Sequence, residues 1–109
     1  MISKELLEVI LNRTIHSRKR VAQTSIIRYV FDANGDKIDS SINVYELAFE
    51  CKMWASTCGE FGYIIDSNTN EAIVNASCDD MPDFKMVIEN DETECIFQAA
   101  QWILNKELQ

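Results

Sequence analysis

Apolar positions recur along this chain with two different spacings, and the spacing changes segment by segment. From Ser3 to about Asn12 the apolar residues Leu6, Leu7, Ile10 and Leu11 follow a helical period. Ser3 stands where an N-cap belongs and Glu5 lies in the first turn, so a short helix is expected there. From Thr24 to Asp32 the residues are β-branched or aromatic, which predicts a strand. Asn34-Gly35 then supplies a hairpin turn, because both residues tolerate positive φ, and Lys37 to Asp39 reads as a short return strand.

The second helix has the clearest start. Asn43-Val44-Tyr45-Glu46 matches a capping box, with Asn43 as N-cap and Glu46 reaching back. Val44, Leu47, Ala48, Cys51, Trp54, Ala55 and Cys58 form one apolar face, and Gly59 ends it. Tyr45, Phe49 and Met53 lie off that face. They suit either a binding surface or a second contact with the N-terminal helix or a dimer partner. Three short strands follow, at 61–66, 71–76 and 84–88. A second capping box, Asp91 to Glu94, opens a last helix that runs to about Lys106 with Ile96, Ala99, Ala100 and Ile103 inside.

The expected order is therefore α-β(β)-α-β-β-β-α. It implies one α+β domain over 1–109, in two layers, with an antiparallel sheet carrying helices on one face. The stretch Arg13 to Arg20 fits a helix extension, a basic loop or a strand equally well.

Charge divides the chain unevenly. Residues 1–28 carry six basic groups against Glu5 and Glu8, a formal +4, while residues 29–109 carry four against sixteen acids, a formal −12. The net charge is −8. Such a field repels phosphates and favours a basic protein or nucleoprotein partner, with nucleic acid a weaker prospect. No apolar run approaches the roughly 20 residues of a membrane span. Met1 to Glu8 has acids where a signal peptide has its basic region, so a cytoplasmic location is expected.

Few residues suggest chemistry. Cys51, Cys58, Cys78 and Cys95 form no C-x-x-C pair. Cys51 and Cys58 lie about 10.5 Å apart along a helix axis, beyond disulfide reach. The only histidine, His16, sits among like charges that do not orient it as a base. Asp32, Asn34 and Asp36 resemble the first ligands of a calcium loop, but Lys37 stands at the glycine position and Asn43 where a bidentate Glu belongs. A hairpin explains the segment better. Asp79, Asp80 and Asp83 crowd one loop, where they could hold a divalent cation or imitate phosphates. A solvated loop accounts for them better than either. No metal, cofactor or catalytic group is expected.

The order α-β-β-β-α from Asn43 to Leu108 resembles the double-stranded-RNA-binding domain, and the apolar spacing of residues 93–104 is similar to that family's last helix. The resemblance implies RNA contact through lysines at the start of that helix, where this chain has Asp91, Glu92 and Glu94. As a whole the chain looks like the small acidic proteins of phages and prophages, among them anti-CRISPR and DNA-mimic inhibitors. That likeness implies a non-catalytic inhibitor of a host defence complex. Glu46, Glu50, Glu60, Asp79, Asp80, Asp83, Asp91, Glu92 and Glu94 would then form a phosphate-like surface, with Tyr45, Phe49 and Met53 as anchors. The alternatives are a nucleic-acid contact through Arg13, Arg18, Lys19, Arg20 and Arg28, or a small structural or assembly protein, including a homodimer.

Overall fold

A computed structural model describes residues 1–76 and 82–109. Helix α1 (Lys4–Leu11) starts where the Ser3 hydroxyl accepts the N–H of Leu6 at 3.0 Å. It stops at Asn12, whose φ of 52° is left-handed, and the N–H of Arg13 returns to the Glu8 carbonyl at 3.2 Å. Three antiparallel strands follow: β1 (Ile15–Arg20), β2 (Ile26–Ala33) and β3 (Asp36–Asn43). Asn34 and Gly35, at φ 52° and 84°, make the β2–β3 turn, so the segment that resembles a calcium loop is a hairpin. The basic stretch is thus an edge strand. A bulge between Ile15 and Ser17 offsets its register, which keeps Ile15 opposite Phe31 in the core.

Helix α2 (Val44–Ala55) leaves β3 without a loop. Asn43 closes the ladder opposite Ile26 and also caps the helix, its side chain accepting the N–H of Tyr45 at 2.8 Å. The expected reciprocal bond from Glu46 does not form among the described residues; the Glu46 side chain is exposed. Gly62 makes the return toward the next strand, with φ +79° and the carbonyl of Ser56 where a Cβ would stand. Strands β4 (Tyr63–Asn68), β5 (Glu71–Ala76) and β6 (Phe84–Val87) form a second antiparallel sheet with β5 central. Helix α3 (Glu92–Glu107) begins at the Asp91 cap and crosses this sheet, where Trp102 packs on Phe84 and edge-on to Tyr63.

The α+β class and the order of elements are as the sequence predicts, and the strands divide between two three-stranded sheets. Each sheet turns one face inward and one to solvent. In β2 the alternation is plain: Ile27, Tyr29 and Phe31 are buried, Arg28 and Asp32 exposed. Leu6 and Leu7 of α1, Ile27, Leu47 and Cys51 of α2, Val74 of β5 and Ile103 of α3 all join one buried cluster. Each large aliphatic side chain removed from water there contributes about 1.5–3 kcal/mol. The fold measures 46 × 32 × 19 Å, and its short dimension is close to two layers spaced about 10 Å apart. Among the described residues no helix is long and apolar enough to cross a membrane.

Candidate protein-binding surface

Successive residues of an α-helix are rotated by about 100°, so positions 45, 49 and 53 fall on one stripe. Val44, Leu47, Cys51 and Ala55 take the opposite side of α2 into the core. Tyr45, Phe49 and Met53 are consequently 65%, 59% and 52% exposed, although each is large and apolar. None of the three belongs to the buried cluster. Glu46 and Glu50 flank this ridge on one side and are exposed, and half-buried Lys52 flanks it on the other. A cleft of about 170 Å³ separates the ridge from the start of α3. Tyr45, Ala48 and Phe49 form one wall, Glu92, Thr93 and Ile96 the other.

Helices α2 and α3 run in the same direction. Residues 45–52 of α2 and 92–96 at the start of α3 share the cleft, while Gly59, just past α2, lies 3.6 Å from a Glu107 oxygen near the end of α3, measured from the position its Cβ would take. Sequence reasoning placed Ile96 in the core and missed Ala48, Lys52 and Thr93 as cleft residues. The off-face aromatics at 45 and 49 were the only local signal for them.

Among the described residues, the expected acids do not all lie together. Asp91 caps α3 by accepting the N–H of Glu94 at 3.1 Å and the hydroxyl of Thr93 at 3.1 Å. Glu92 accepts from the Ser67 hydroxyl at 2.6 Å. Glu94 pairs with the N-terminal ammonium at 3.0 Å and accepts from Gln98 at 2.9 Å. These three acids therefore hold the fold together at the α3 start, with only part of their charge turned outward. Glu60 is exposed beyond the far end of α2, and Asp83 is exposed where its N–H reaches the Val74 carbonyl at 2.7 Å. Asp79 and Asp80 lie outside the described residues, as does Cys78. Of the expected acids, Glu46, Glu50 and Glu92 adjoin the apolar ridge.

The basic residues also separate. The Arg13 guanidinium stacks 4.1 Å over the Phe31 ring. Arg18 donates from Nε to the Ile2 carbonyl at 2.7 Å, and Arg20 to the Thr24 carbonyl at 3.1 Å. Lys19 and Arg28 stand opposite one another on the outer face of the first sheet. His16 is not left unoriented among basic neighbours: its Nε2 lies 2.6 Å from Oδ1 of Asp32.

Burial pushes the Cys51 thiol up to about 12, with the Glu50 charge adding to it. Burial also raises Cys58, helped by the Glu107 charge, and raises Cys95. None of these three is held as the thiolate that nucleophilic chemistry needs. Among the described residues no three His, Cys, Asp or Glu side chains converge on a metal-sized space. No protein-family model, no curated protein and no solved structure matches the chain.

Proposed function

We propose that this chain is a non-catalytic protein-binding module that docks through the α2 ridge onto a basic surface of its partner. The observation that carries the reading is the exposed stripe Tyr45, Phe49 and Met53, bordered by Glu46 and Glu50. Large apolar side chains that fill a partner's pockets supply most of the affinity at such interfaces, and aromatic ones are favoured. Complementary charge raises the association rate and rejects acidic partners. With a net charge of −8, the preferred partner is a basic nucleic-acid-handling protein or complex. The finer reading is an inhibitor of the phage or mobile-element kind, acting in the host cytoplasm by covering the nucleic-acid channel of a defence complex.

Affinity capture from a lysate of the source cell, at low and at high salt, tests it. A basic nucleic-acid-handling protein retained at low salt and released at high salt is the expected result. Retention of nucleic acid alone, or of no protein other than the chain itself, would sink the reading.

A further inference from the structure

We propose that the outer face of the first sheet binds the acidic flank of α2 on a second copy, so that copies associate head to tail. Lys19 of β1 and Arg28 of β2 are direct cross-strand partners. Like charges in that relation destabilise a strand pair. The other arginines of the segment are drawn off by Phe31 and by backbone carbonyls, but neither of these two side chains has an ion pair among the described residues. They border a groove of about 330 Å³ shared with Ser17, Arg18, buried Tyr29, half-buried Val30 and, at its β3 side, Asp39. Two adjacent carboxylates from outside would neutralise the pair.

Glu46 and Glu50 have the matching spacing. Residues one helical turn apart are separated by about 6 Å along the axis, and cross-strand neighbours stand about 4.5–5.5 Å apart. Both glutamates are exposed, and Phe49 in the same turn offers an apolar group for the Val30 floor. A nucleic acid fits less well. Tyr29 borders the groove but is only 8% exposed, so it offers no open ring face for a base to stack on, and Asp39 repels a polyanion locally. The two complementary patches are different surfaces of one chain, which makes the contact heterologous and able to propagate. The inference uses the acidic flank of the proposed docking ridge but does not depend on a foreign partner.

Sedimentation velocity on the purified chain tests it. At low salt the sedimentation coefficient should rise with concentration. It should fall to the monomer value at about 1 M salt, where the screening length is about 3 Å. Lys19→Glu/Arg28→Glu and Glu46→Lys/Glu50→Lys should each stay monomeric, with unchanged circular dichroism, and an equal mixture of the two should associate again. A wild type that is monomeric throughout overturns the proposal, as does association that survives either reversal. A fluorescein-labelled oligonucleotide bound by the wild type but not by Lys19→Glu/Arg28→Glu, with the protein alone monomeric, would assign the face to nucleic acid instead.

Discussion

Gly62 and Gly35 share a left-handed backbone, at φ +79° and +84°, yet only Gly62 is crowded. A Cβ on Gly35 meets nothing within 4 Å, whereas one on Gly62 would lie 2.3 Å from the Ser56 carbonyl oxygen. Gly35→Ala should therefore cost only the left-handed penalty of about 1–2 kcal/mol. Gly62→Ala should cost clearly more, because the turn after α2 must move, and urea unfolding of the two variants will rank them. The Lys85–Glu71 pair, 2.8 Å apart, makes a smaller and pH-dependent contribution. The hydrogen bond from Lys85 holds the Glu71 carboxyl below its ordinary value of 4.5. A depressed carboxylate stabilises the fold above that ordinary value, and the contribution is lost as pH falls through the lowered one. Lys85→Met should then lower the urea midpoint slightly at neutral pH and not at all in acid below that window, an exposed pair being worth little.

At the scale of elements, much was legible because the signals are local. Ser3, Asn43 and Asp91 mark the three helix starts, and Asn34-Gly35 marks a turn, through chemistry contained in a few residues. The ridge was legible for the same reason: Tyr45, Phe49 and Met53 break the period of the buried face. β1 was not legible, since Ile-His-Ser-Arg-Lys-Arg has a bulge that disrupts alternation and is a strand only by pairing with residues 27–31. The division of strands into two sheets is likewise a matter of non-local pairing. So is the fate of the charges: nothing near Arg18 in sequence announces the Ile2 carbonyl, nor does anything near Glu94 announce the N-terminus. The caps themselves can be ranked. Asn43→Ala should cost about 1 kcal/mol for the lost cap. Asp91→Ala should cost more in thermal or urea melts, because it also strands the buried Thr93 hydroxyl.

Across the whole molecule, stability and binding fall on separate surfaces. Core residues of α1, both sheets, α2 and α3 meet in one cluster, while the α2 ridge stays outside it. Replacing Tyr45, Phe49 and Met53 with Ala should thus leave unfolding within roughly 0.5 kcal/mol of the wild type, alanine being a good helix former. The charge distribution adds direction, since most of the acidity lies in residues 29–109 and an uncompensated basic pair lies on the first sheet. The most direct test of the central claim is the affinity of the captured partner for the wild type and for Tyr45→Ala/Phe49→Ala/Met53→Ala, measured side by side with their melting curves. Docking through the ridge predicts a loss of about 100-fold or more, equivalent to about 2.7 kcal/mol, at nearly unchanged stability. Equal affinity for the two proteins would contradict it and move the binding surface elsewhere on the fold.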